Sequence, residues 1–135
     1  MTLHNDFFTR TLKAGQDLRT LQYRVVRTTA AGACFLSSNR AAGAHVQGIL
    51  VNKPNSGEAA TVAWLGEVKA LGGAAVTANR LVTTNGSGKV VNASSGDWAF
   101  GVAVRGTGAD AEYARILLQT PRYLPNSLAA ALNVT

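Results

Sequence analysis

From Leu21 to Gln119 apolar and polar residues alternate in short runs, and clusters of Gly, Asn, Pro and Ser interrupt the runs about every ten residues. A period of two places successive side chains on opposite faces of an extended chain, so these runs predict strands. They cover Leu21–Thr28, Ala33–Ser38, Val46–Val51, Ala59–Leu65, Glu67–Leu71, Leu81–Thr84 with Lys89–Val91, Trp98–Arg105 and Tyr113–Gln119. No helical period interrupts them. The clusters at Asn52–Gly57, Asn85–Gly88 and Gly106–Asp110 hold residues that accept positive φ or preset turn dihedrals, and read as surface turns. The expected fold is all-β, a small barrel or sandwich of about eight short strands.

Trp98–Arg105 sorts its alternation by size: Trp98, Phe100, Val102 and Val104 on one face, Ala99, Gly101 and Ala103 on the other. The first face predicts a core. The second is small and apolar where a solvated strand would carry Thr, Lys or Glu, which predicts close approach of another backbone, from a second sheet or from a neighbouring subunit. Ala99, Gly101 and Ala103 are therefore candidates for an oligomer interface.

The ends differ from the body at 21–120. Residues 1–20 hold Leu3, Phe7, Phe8, Leu12 and Leu18 without strand alternation, and Gly15 interrupts any helix begun at Asn5. They predict an N-terminal arm, with a short helix over Asp6–Ala14 as one form of it, mobile in the free protein and ordered by a partner. Phe7, Phe8, Arg10, Leu12 and Lys13 are its candidate contact residues. Pro121 and Pro125 are expected to stop the last strand, leaving 121–135 as a tail in which 127–132 has room for a two-turn helix.

Length and composition then bound the function. A chain of 135 residues makes one domain with a single modest core. Charged residues reach only 15%, and the net charge is +6. The positive charge is uneven: residues 1–40 carry six basic and two acidic side chains, residues 41–120 six and five. That excess attracts a polyanion or an acidic surface without specifying which. No apolar run approaches the ~18 residues of a membrane helix, and the first residues contain no apolar segment of a secretory signal, so synthesis in the cytosol is expected. One cysteine, Cys34, excludes an internal disulfide and a four-cysteine zinc site within the chain.

Candidate chemistry is sparse. His4 and Asp6 offer two metal ligands on a terminal segment, which leaves most coordination positions unfilled. Cys34 and His45 could pair as nucleophile and base, but nothing resembling an oxyanion hole accompanies them, and a lone Cys is more often a small buried apolar residue. Gly86-Ser-Gly88-Lys89 departs from a phosphate loop at Thr83 and Val90, and Gly106-Thr-Gly108 lacks its third glycine. Asn85, Asn92 and Asn133 begin glycosylation triplets that a cytosolic chain does not use. No catalytic residue, cofactor, metal or small-molecule substrate is expected. A nucleic-acid module is the alternative, weakened because Tyr23 and Arg27 share a side of their strand while Arg24 points away. Lys53 and Lys89 fall at turns, and Lys69 shares a strand face with Glu67, as solvated charges do.

Val46–Leu118 adds a resemblance. It contains Val-Gln-Gly-Ile-Leu-Val-Asn-Lys-Pro at 46–54, Gly-Glu-Val-Lys-Ala at 66–70, Asn-Arg-Leu-Val at 79–82, Asn-Gly-Ser-Gly-Lys at 85–89 and Gly-Asp-Trp-Ala-Phe-Gly-Val-Ala at 96–103. In order and spacing these segments resemble the capsid decoration (cement, or head-stabilising) proteins of tailed bacteriophages. The turn at Asn85–Gly88 departs from the acidic turn usual in that family, and neither end of the chain aligns with it. The resemblance implies a non-enzymatic virion protein on the outer capsid surface that clamps neighbouring subunits of the major capsid protein. It also implies a homo-oligomer, a trimer first and a dimer second.

Overall fold

The structure, a computed structural model, describes residues 7–29, 31–37 and 46–124. Nine strands and no helix occupy the described residues: β1 (Phe7–Ala14), β2 (Val25–Thr28), β3 (Ala33–Leu36), β4 (Val46–Leu50), β5 (Ala59–Leu71), β6 (Leu81–Thr84), β7 (Val90–Asn92), β8 (Trp98–Arg105) and β9 (Tyr113–Tyr123). The expected all-β class is what the chain adopts. The strands join in the order β1-β3-β2-β4-β5-β9-β8-β6-β7, and β1 also pairs with β5. The pairing of β1, β3, β2, β4 and β5 therefore returns to its starting strand and closes a five-stranded ring. From β5 an open sheet of β9, β8, β6 and β7 continues.

The long strand β5 makes this possible, because its two halves serve different neighbours. Ala59–Gly66 pairs antiparallel with β1, and Ile49 and Leu50 of β4 pair with Ala63 and Val62 on its other edge. Gly66–Leu71 pairs with Tyr113–Leu118 of β9. The two segments expected as separate strands around Gly66 are one strand; Gly66 takes a positive φ of 99° inside it rather than ending it.

Two cores result. Ala14, Val26, Cys34, Leu50, Ala60 and Val62, with Leu18, form the interior of the ring, each of its five strands contributing. Val25, Ile49, Ala63, Val68, Ala70, Phe100, Ala103, Ala114, Ile116 and Leu118 belong to the second core, between the ring wall and the open sheet. Adjacent residues Val25 and Val26, Ile49 and Leu50, and Val62 and Ala63 thus point into different cores. At these three pairs the wall of β2, β4 and β5 is buried on both faces, which is why Val25-Val26, Ile49-Leu50 and Val62-Ala63 are apolar without a polar alternate.

The N-terminal segment requires a correction. Phe7–Ala14 is a strand, neither a helix nor a loose arm: Phe7–Lys13 is registered against β5 from Gly66 back to Ala59, and Lys13 and Ala14 lie parallel to Ala33 and Cys34. The following residues are fastened too. Leu18 is fully buried, its N–H donates to the Pro54 carbonyl at 3.0 Å, and the Gly57 N–H donates to the Ala14 carbonyl at 2.8 Å. The Asn52–Gly57 turn accepts the first of these bonds and donates the second while bracing itself, with the Thr61 N–H donating to Asn52 Oδ1 and the Asn55 N–H to Glu58 Oε1. Beside it, hydrogen bonds from Arg19 hold the Asp17 carboxyl at about 2.

The last strand is also longer than expected. β9 continues through Pro121 to Tyr123. Its pairing with β5 ends at Leu118, and Pro121 falls in the irregular stretch between the Leu118–Gly101 and Arg122–Ala99 pairings with β8, so it interrupts no registered pair. Residues 127–132, expected as a helix or tail, lie outside the described residues.

Cys34 is fully buried in the ring, and desolvation pushes its thiol up to about 11. The unfolded thiol ionises near 9. The folded chain therefore holds this proton more tightly, and stability is independent of the thiol below pH 9 and falls between pH 9 and about 11. At pH 8 Cys34 should react with an aromatic disulfide reagent only after denaturant is added. Rapid labelling of the folded protein would show that the ring opens.

Candidate interaction surface

The regular strand β9 defines the surface. Ala114, Ile116 and Leu118 point into the core, so Tyr113, Arg115 and Leu117 point outward. Registration across β5 and β8 sets rows on that face. Lys69, Arg115 and Arg105 form one row, and Glu67, Leu117 and Val102 form the next. At the end of β5 nearest β1, Leu65 lies opposite Phe8, and Trp64 is the extra residue of a bulge between Phe8 and Thr9.

Every large apolar side chain exposed among the described residues belongs to these four adjacent strands. They are Phe8 at 65% exposure, Trp64 at 44%, Leu65 at 37%, Val104 at 46%, Tyr113 at 49% and Leu117 at 39%. Exposed apolar residues gathered on one face mark an interaction site more than scattered ones do.

The charged groups are arranged around a strained residue. Tyr23 adopts φ 67°, an uncommon conformation for a bulky side chain. Two backbone bonds hold it there: its N–H donates to the Leu50 carbonyl at 2.7 Å, and the Leu71 N–H donates to its carbonyl at 2.8 Å. The ring meets that of Tyr113 edge to face, centroids 5.6 Å apart, and Lys69 Nζ lies 4.7 Å from the Tyr23 centroid and 4.5 Å from that of Tyr113. Arg115 Nε donates to Glu67 Oε2 at 2.7 Å. Glu67 thus pairs across strands with Arg115, and Lys69, exposed as the strand face suggests, also lies over two rings.

The residues singled out from the sequence divide accordingly. On β1, Phe8, Arg10 and Lys13 are exposed, whereas Phe7 packs on the second core and Leu12 on the ring core. Phe7 and Leu12 are therefore packed on the body, and Phe8, Arg10 and Lys13 are the exposed members of the set. The oligomer candidates need a further correction. Ala99 and Ala103 are 2% and 0% exposed within a single chain, and a Cβ at Gly101 would stand 2.6 Å from the Leu117 carbonyl oxygen of β9. The backbone that approaches this small face is the chain's own. Irregular registration near Phe100 and Val104 shifts the alternation, burying Ala99 and Phe100 together and leaving Val104 and Arg105 exposed together.

Among the described residues no reactive cluster accompanies the surface. His4, Asp6 and His45 lie outside the described residues, and among those described no three His, Cys, Asp or Glu side chains are grouped to hold a metal. The Asn85 turn is a hairpin connection, its Oδ1 accepting from the Ser87 and Lys89 N–H groups. The contact of Tyr23 with Lys69 and Tyr113 joins residues far apart in the chain and left no local signal. The outward position of Tyr113 in its strand was the available hint.

No protein-family model and no curated protein matches the sequence. Among solved structures, the fold is similar to that of the head fiber gp8.5 N base in bacteriophage phi29, with a TM-score of 0.62 and 14% identity. The match covers 86% of this chain and 97% of that one. At this identity the likeness is one of fold.

Proposed function

We propose that the chain is a non-enzymatic structural protein of a phage virion, attached to the outer capsid surface, where it clamps neighbouring subunits of the major capsid protein. The observation that carries this reading is the fold likeness to a phage head fiber base, which spans nearly the whole of that domain. The order of turn and strand segments from Val46 to Leu118, similar to that of decoration proteins, supports it from the sequence, and the exposed apolar face on β1, β5, β9 and β8 gives such a protein something to attach with.

The reading includes a homotrimer, with a dimer as the competing closed assembly. It draws on the repetitive geometry of a shell, where linked copies convert later contacts into intramolecular ones. The contact between copies is sought away from the buried Ala99, Gly101 and Ala103.

Sedimentation with purified capsids of the virus that encodes the chain tests both parts. The protein is expected to pellet with capsids at saturable stoichiometry and to make them more resistant to heat. Light scattering on the free protein is expected to give three times 14.0 kDa. Absence from the capsid pellet would overturn the virion reading, and a mass of one chain would overturn preassembly.

A further inference from the structure

We infer that the outward face of β5, β9 and β8, extended onto β1 by Phe8, docks an acidic protein surface with an apolar centre. The inference rests on the virion reading only for where that partner is met. Its chemistry comes from the face itself.

Charge comes first. Among the described side chains, β1, β5, β8 and β9 carry Arg10, Lys13, Lys69, Arg105 and Arg115 against a single carboxylate, Glu67. The remaining described acids, Asp17, Glu58, Asp97, Asp110 and Glu112, lie in turns and connections outside the strands. Lys69, Arg115 and Arg105 stand directly opposite one another on three neighbouring strands. Like charges paired this way oppose folding; Arg115 is compensated by Glu67, which leaves the exposed Lys69 and Arg105 as the cations that a partner's carboxylates would meet.

The second observation is preorganisation. Tyr23 is held at positive φ by two backbone bonds, and its ring with that of Tyr113 fixes the Lys69 ammonium. A flexible lysine ordinarily loses rotamer freedom on binding; here the rings have already restricted it. The exposed Leu117, Val104 and Leu65 supply apolar area beside the cations, the pattern of an interface whose charged groups surround a centre that excludes water.

The same features argue against two other occupants. A second copy docked by a two-fold axis would set the cationic row against itself. For single-stranded nucleic acid, the tyrosine faces beside the cations would have to stack bases, and Lys69 already covers them.

The test uses the full chain with Lys69→Glu, Arg105→Glu and the milder Lys69→Ala, plus Lys53→Glu in the Asn52–Gly57 turn as a control. Circular dichroism establishes that each folds. Probes are capsids of the encoding virus, a random glutamate–tyrosine copolymer, and a single-stranded DNA oligonucleotide. The expected result is binding of wild type to capsids and copolymer, weakened about tenfold or more by either reversal. Lys69→Ala should weaken it less, and Lys53→Glu should change it by less than about twofold.

If wild type binds capsids and the reversals bind equally well, this inference fails and the virion reading stands. If wild type ignores capsids, the virion reading fails, and the copolymer decides the face: loss of copolymer binding on reversal supports it, and an unchanged affinity overturns it. Tighter binding of DNA than of copolymer, weakened by the same reversals, would assign the face to nucleic acid and overturn the inference.

Discussion

Replacing Gly48 by Ala is expected to unfold the protein or to cost about 4 kcal/mol or more of its stability, among the largest effects a single methyl group can have. Gly48 lies in β4 at φ 145°, and a Cβ built on it would stand 1.8 Å from the carbonyl oxygen of Ala63 and 2.8 Å from the carbonyl carbon. Both atoms belong to the backbone of β5, next to the pairing of Ile49 with Ala63. No side chain can rotate away, so relief requires separating two strands that are buried on both faces. Gly57→Ala is the control. That residue also has positive φ, 86°, but nothing lies within 4 Å of its Cβ position, so the change carries only backbone strain of about 1 kcal/mol. Urea unfolding of the two variants separates contact from strain; a Gly48→Ala midpoint as high as that of Gly57→Ala would refute the account.

Removing residues 1–14 is the second large effect. If this segment were an arm ordered only by a partner, its loss would leave the melting temperature almost unchanged. As the strand that closes the ring, it covers β5 from Ala59 to Gly66 and reaches Ala33 and Cys34 of β3. Deletion removes Leu12 and Ala14 from the ring core and leaves two strand edges unpaired. Each lost kcal/mol lowers the melting temperature of a domain this size by roughly 3–5 °C, and losing two core side chains with a full strand amounts to several kcal/mol. A fall of at least about 10 °C, with aggregation, is therefore expected in calorimetry. An unchanged transition would return the segment to the status of an arm.

The contrast between β1 and β9 explains what the sequence discloses. In β9 one parity is inward throughout Ala114–Leu118, so alternation marks both the strand and the outward residues that form the surface. In β1 the inward residues are Phe7, on the second core, and Leu12 and Ala14, in the ring core, with the exposed Phe8–Thr11 between them. Because the two faces of the strand meet different cores, no single apolar stripe of period two marks it. In β8 the register shifts bury Ala99 and Phe100 side by side and leave Val104 and Arg105 exposed side by side, so its alternation of large and small residues does not separate core from surface. Bulges depend on the partner strand, which no local pattern specifies. The Tyr23, Lys69 and Tyr113 group was hidden for a related reason: its members meet only after the ring and the open sheet have formed.

The wall shared by the two cores has a mechanical consequence. Val25 and Val26, Ile49 and Leu50, and Val62 and Ala63 each bind one core to the other through a single peptide bond. Neither half can open while the other stays native, because opening exposes one face of strands that the other half needs. Native-state hydrogen exchange should find β2, β4 and the centre of β5 in one cooperative unit with the highest protection, and no subglobal opening that frees the ring alone. Under tension applied between the ring and the open sheet, the load would pass through β5, and resistance would persist undiminished until the whole domain gives way at once.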